Sequence, residues 1–231
     1  MGNRVKEDRR NKIIEAALKV FAKKDISEAT IAEISKAAGI SDVTLYEYFK
    51  NKEDLLFAIP EQITLEAIEE LERALHYIKG AENKIRAIVY SYMNLYESNS
   101  PYSSLVLLQL RVNRKFPKSK AYAMVRRPAR MLVDAIKEGI ETGVFNRDID
   151  PYLIRSMLLG TIEHLFTRWH ILGKPENPSR YLDPVIEVIL DGIREKRSGK
   201  DFVIPLHLPN EVTSSRKIES EKLHLFFISQ G

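Results

Sequence analysis

Between Thr30 and Leu55 the chain reads TIAEISKAAGISDVTLYEYFKNKEDL. Tyr46, Tyr48, Lys50 and Lys52 fall close together here, and hydroxyl side chains stand at Thr30, Ser41 and Thr44. Tyrosine hydroxyls and lysine ammonium groups reach phosphate oxygens, whereas carboxylates such as Asp42 and Glu47 accept from the amine of cytosine but are repelled by phosphate. The chemistry these groups fit is recognition of a phosphate backbone with base edges beside it. Other chemistries find little support. Zero cysteines exclude disulfides, thiolate metal sites and cysteine nucleophiles. No G-x-S-x-G, H-E-x-x-H, P-loop or dinucleotide fingerprint occurs, which argues against an enzyme. His164 and His170 fall on nearly opposite faces of one helix and make poor joint metal ligands. Neither metal nor cofactor is expected.

Three short elements must hold these groups. Thr30 and Glu33 have the T-x-x-E spacing of a capping box, so a helix starts at Ile31 with Ile31, Ile34 and Ala38 inward. Gly39 permits a turn with positive φ, and Ile40 plugs it. Ser41 caps a second helix whose first residue, Asp42, suits the positive end of the helix dipole. Leu45 and Phe49 face inward, leaving Asp42, Val43, Thr44, Tyr46, Glu47 and Tyr48 outward. Helices this short are marginal alone. A first helix with Ile14, Leu18 and Phe21 on one face supplies the third wall of a helix-turn-helix. The next helix begins at about Lys52, and its free N–H groups form an anion site.

The run IIEAALKVFAKKDISEATIAEISKAAGISDVTLYEYFKNKEDLL resembles the TetR-family signature in its A-x-x-x-F helix, I-x-x-A-A-G-I-S turn, T-L-Y-x-Y-F and K-x-K-E-x-L. The resemblance implies a homodimeric transcriptional regulator, usually a repressor released from double-stranded operator DNA by a small molecule. It puts phosphate contacts on Thr30, Ser41, Tyr46, Tyr48 and Lys52, and base contacts around Asp42, Val43, Thr44 and Glu47. Lys50 and a basic arm with Arg9 and Arg10 add cationic side chains: residues 1–12 carry five basic groups against two acidic ones. Asp25 and Val43 stand where the family often has glycine, and Ser35 where it has alanine, so the operator sequence is not transferable. Residues 1–57 hold 11 basic and 10 acidic side chains. That near neutrality motivates the alternative, a helical ligand-binding or scaffold protein without DNA binding.

Helical period runs through the rest, and the chain of 231 residues reads as all-α with about nine helices. The expected division is a helix-turn-helix head over 1–52, an effector and dimer domain over 53–197, and a flexible tail or extended arm over 198–231. No apolar run is long enough to span a membrane and the N-terminus has no apolar core, so a cytoplasmic protein is expected. Pro60 predicts a kink or restart, and a hinge between domains. Pro128 falls inside a predicted helix spanning 118–143. Asp150, Pro151 and Gly173 frame a helix that is apolar on nearly every side.

The resemblance implies a four-helix dimer interface from the last two helices, placed on Met157, Leu158, Leu165, Val185, Ile189 and Ile193. Tyr90, Met93, Tyr96 and Tyr122 are expected around an effector cavity. Gln109, Arg111, His164 and Arg168 interrupt apolar runs and would need partners or a ligand if buried. The segments LLQLRVNRKF and LLGTIEHLFTRWHI are similar to those of fatty-acid-degradation repressors within the family. This implies acyl-CoA as effector, its chain in an apolar slot and its phosphates on bases such as Arg111, Arg114, Lys115 or Arg168.

Overall fold

Thr30 opens its helix as its spacing predicts: its hydroxyl accepts from the Glu33 N–H at 3.2 Å while the Glu33 carboxylate accepts from the Thr30 N–H at 2.9 Å. This computed structural model describes residues 2–195, with side chains from Arg4, and every regular element within them is helical. The α-helices are α1 (Gly2–Phe21), α2 (Ile31–Ala38), α3 (Asp42–Tyr48), α4 (Lys52–Leu75), α5 (Ala81–Ser98), α6 (Ser100–Ser104), α7 (Lys120–Val125), α8 (Arg127–Glu141), α9 (Pro151–Leu172) and α10 (Leu182–Ile193). Counting α7 and α8 as halves of one interrupted helix recovers the expected number. One antiparallel bridge, Phe145 with Arg194, ties the α8–α9 loop to the end of α10. The expected tail, 198–231, lies outside the described residues.

The head closes as the pattern requires. Gly39 takes φ 68°, and its N–H and that of Ile40 satisfy carbonyls of Lys36 and Ser35. Ile14, Leu18 and Phe21 of α1 meet Ile34, Leu45 and Phe49 in one buried core that continues into Leu55, Leu56 and Ile59 of α4. Asn51, which the sequence reading passed over, caps α4 by accepting from the Asp54 N–H at 2.8 Å.

Two expectations, on Pro60 and Pro128, are corrected, and two features are added. The basic arm is helical: residues 2–12 extend α1, because no proline or glycine interrupts 3–21 and its residues tolerate helix. Pro60 does not restart α4, which runs unbroken from Lys52 to Leu75. The ring removes one backbone bond and costs about 3 kcal/mol, but Ile59, Thr64, Ile68 and Leu71 are buried on either side of that turn and hold it. Pro128 does divide its helix. It sits at the second position of α8, where no intrahelical N–H partner is lost. Finally, the apolar stretch after α6 winds as a π turn, Leu105–Leu110, in which the Arg111 N–H reaches back five residues to the Val106 carbonyl at 3.2 Å. The extra residue in that turn re-aims the side chains that follow.

Candidate functional site

Two regions gather the predicted residues. On the head, α3 presents Val43, 74% exposed, and Tyr46, 54% exposed, with Asp42 and Glu47 beside them. Thr44 and Tyr48 are only half-exposed, and Tyr48 packs against the head core, so it is not wholly outward as expected. Ser41 accepts from the Thr44 N–H at 3.1 Å and shares a hydroxyl bond with Thr44 at 3.0 Å. The Thr30 hydroxyl is committed twice, since it also donates to Glu33 Oε2 at 3.0 Å. Lys24 reaches the same carboxylate at 2.5 Å; its ammonium first, and the Thr30 bonds after it, hold Glu33 down at about 2.

The cations divide into anchored and open ones. The Lys52 ammonium donates to the Ala29 carbonyl at 2.8 Å and the Ser27 carbonyl at 3.3 Å, so it spans the loop before Thr30 with one N–H to spare. Arg10 lies over the Phe49 ring at 5.2 Å, whereas Arg9 and Lys50 are exposed. The α4 start is a poorer anion site than expected. Asn51 fills it, Glu53 and Asp54 already supply negative charge, and Asp54 accepts from the Lys50 N–H at 3.1 Å.

The body holds an open cavity of about 610 Å³ between α5, α7, α8, α9 and the turn before α7. Phe116, Tyr122, Val125, Ala129 and Leu159 form its apolar wall, and three guanidinium groups, Arg111, Arg126 and Arg155, enter it. At its inner side Arg111 makes a two-pronged pair with Glu163, whose other contact is the Tyr92 hydroxyl, donating at 2.8 Å. Burial opposes the charge on Arg111, but the Glu163 pair outweighs it and holds the guanidinium above its ordinary pKa. Burial also pushes the Tyr92 phenol well up, and the Tyr96 phenol up to about 12. The two phenols share a bond at 2.9 Å. Arg126 and Arg155 instead stack on Tyr122 and Tyr152, at 5.4 and 5.6 Å, and pair with no carboxylate among the described residues.

Of the expected effector contacts, Arg111 and Tyr122 line this cavity. Tyr90 lies outside it, at the surface, donating to Asp183. Met93 and Tyr96 are buried in the core, Tyr96 edge-on to Phe166. His164 and Arg168 line a separate cleft with Lys174 and Arg180. His170 bonds Ser103 at 2.8 Å, and burial lowers its pKa. Gln109 turns to the head. Sequence reasoning missed Tyr92, Arg126 and Arg155; the row Arg155, Leu159, Glu163 on α9, spaced four residues apart, was the available signal.

Comparison with known proteins places both regions. The model of bacterial regulatory proteins of the tetR family matches residues 13–59, and that of the YsiA-like protein C-terminal region matches residues 61–192. The chain belongs to the TetR family. It is a ligand-responsive DNA-binding transcriptional regulator, not an enzyme. Among its TetR-family relatives, the fatty acid metabolism regulator protein of Bacillus subtilis (strain 168) is 27% identical over 184 residues, covering 80% of this chain and 95% of that protein. The crystal structure of FadR from Bacillus subtilis in complex with stearoyl-CoA superposes with a TM-score of 0.73 at 27% identity, covering 79% of this chain and 98% of the other. FadR from Bacillus halodurans gives 0.71 at 25%, covering 79% and 94%.

The last two helices among the described residues of this TetR-family chain, α9 and α10, also expose apolar surface. Leu153 and Met157 of α9 and Val188 of α10 stand out, Val188 at 73% exposed. Of the expected dimer residues, Met157 is exposed, and Leu165 and Val185 are half-buried. Leu158, Ile189 and Ile193 are buried within the protomer and are corrected. One residue along a helix is about 100° of rotation, so neighbours in a continuous apolar run face different partners. Among the described residues no helix is long and apolar enough to cross a membrane.

Proposed function

We propose that the chain is a dimeric, cytoplasmic repressor released from a pseudo-palindromic operator by an acyl-CoA. The observation that carries this reading is the cavity, which joins an apolar wall to three guanidinium groups. Phe116, Val125, Ala129 and Leu159 would take the acyl chain, and Arg126 and Arg155, unpaired with carboxylates, the phosphates. The similarity to a regulator crystallised with stearoyl-CoA supports it.

Residues 1–52 serve as the DNA-binding head and 53–197 as the effector and dimer domain. On the head, Val43, Tyr46, Asp42, Glu47 and Thr44 face the major groove, while Ser41, Tyr48, Lys50, Lys52, Arg9 and Arg10 flank the backbone; Thr30 contributes by capping α2. Exposed Leu153, Met157 and Val188 make the dimer face. Two heads then meet half-sites one turn, about 34–36 Å, or a multiple apart.

Calorimetry with stearoyl-CoA, free CoA and stearate tests the effector, with anisotropy of an operator selected from random duplexes reading release. Stearoyl-CoA is expected to bind most tightly and to weaken DNA binding about 5–150-fold. Arg126→Ala with Arg155→Ala should cost affinity for stearoyl-CoA far more than for stearate. DNA binding indifferent to stearoyl-CoA would sink the effector reading.

A further inference from the structure

Gln109 spends its whole carboxamide on the head. Its Nε2 donates to the Phe21 carbonyl at the end of α1, and its Oε1 accepts from the Ile26 backbone N–H in the following loop, both at 2.9 Å. Phe21 contributes one of the terminal carbonyls that a helix leaves without an internal partner. Two residues on, Arg111 enters the cavity and grips Glu163. Farther along, Lys115 returns to the border of the head, pairing with Glu53 in the first turn of α4 at 2.9 Å, while Phe116 lines the cavity and packs on Phe57 of α4 at 5.9 Å. One stretch, 105–117, therefore alternates between the two regions, and it begins with the π turn, a device found at functional sites.

We propose that Gln109 is the positioning residue through which the effector cavity sets the pose of the DNA-binding head. The inference rests on that cavity being the effector site. An anionic effector held on Arg126 and Arg155 also draws on the Arg111 guanidinium of the same cavity, in competition with Glu163, and any shift of Arg111 reaches Gln109 over two residues of backbone. A planar carboxamide that bonds the head at both ends passes the displacement on to the α1–α2 junction. The Lys115–Glu53 pair is exposed and steadies the stretch without deciding the pose.

Hydrogen exchange at Ile26 in the full-length protein reads the clamp, because that amide donates to Gln109. With stearoyl-CoA added, its exchange is expected to shift about threefold or more, the lower end of coupling within one network. The Glu33 amide, capped by Thr30 inside the head, should stay constant. Glu163→Gln, which loosens Arg111 with no effector present, should shift Ile26 in the same direction. That arm tests the clamp even if stearoyl-CoA does not bind, so failure of the effector reading and failure of the clamp are distinguishable. In anisotropy, the ratio of DNA affinities without and with stearoyl-CoA should fall toward unity in Gln109→Leu and in Gln109→Met, each checked for its thermal melt. If either variant loses DNA binding outright, the Glu163→Gln exchange decides. Unchanged Ile26 exchange in Glu163→Gln, an equal shift at Glu33, or a wild-type ratio in both Gln109 variants overturns the proposal.

Discussion

Gly39 in the head and Gly139 in the body are both required, for opposite reasons. A Cβ on Gly39 would meet nothing within 4 Å, but the backbone there has φ 68°, which L side chains rarely adopt. Gly139 is an ordinary helical residue of α8, yet a Cβ on it would drive into the Phe145 ring and come within 3.0 Å of the Ala81 Cβ. The head is thus built on rules of the local backbone: caps, a left-handed turn, and apolar residues three and four apart. The body is built on side-chain fit, with Gly139 clearing both Phe145 in the following loop and Ala81 of α5. On the proposed function, local rules would hold the recognition surface rigid, whereas side-chain fit around the open cavity would let an effector alter the packing.

Substitutions can separate the two modes. Gly139→Ala should cost about 1–3 kcal/mol by overpacking, and adding Phe145→Leu should recover much of it in urea denaturation. Failure of that rescue would mean the body's glycine is not about space. Gly39→Ala should cost about 1–2 kcal/mol for its left-handed conformation, with no neighbour whose trimming relieves it; a rescue by any neighbouring truncation would break the contrast. Thr30→Ala removes the α2 cap and should cost about 1 kcal/mol, seen as a lower urea midpoint with the slope preserved.

The smallest effect is the pH dependence, and the two regions should respond in different windows. His170, in the body, has its pKa lowered by burial, so an unfolded chain binds the proton first. Its contribution is present above the ordinary value of 6.5 and is lost as pH falls through the lowered one. Glu33, in the head, titrates near 2 instead of 4.5, chiefly through Lys24, so its contribution holds above 4.5 and fades toward about 2. Stability titrated by circular dichroism should therefore soften first through the body. His170→Gln should remove the upper step, and Glu33→Gln the lower. An upper step that survives His170→Gln would contradict the assignment.

The head was largely legible. Thr30, Gly39 and Ser41 act through partners within five residues, so spacing alone reveals them. In the body, legibility ended where a side chain's partner lies far along the chain. Gln109 and Arg111 interrupt the same apolar run and look alike in sequence, yet one clamps the head and the other enters the cavity. Leu158 and Met157 are apolar neighbours, one fully buried and the other exposed. Pro60 read as a break and Pro128 as internal to one helix, yet packing on either side carries α4 through the first while the second opens α8.

By itself, then, the sequence determined that the chain is helical, where the head turns, and that Leu45 and Phe49 of the α3 segment face inward, because capping, positive φ and helical period are properties of a few adjacent residues. Only the tertiary structure decided which polar groups meet at the cavity and which hold the head. Those choices depend on partners 52 to 88 residues away, and only packing brings such partners together.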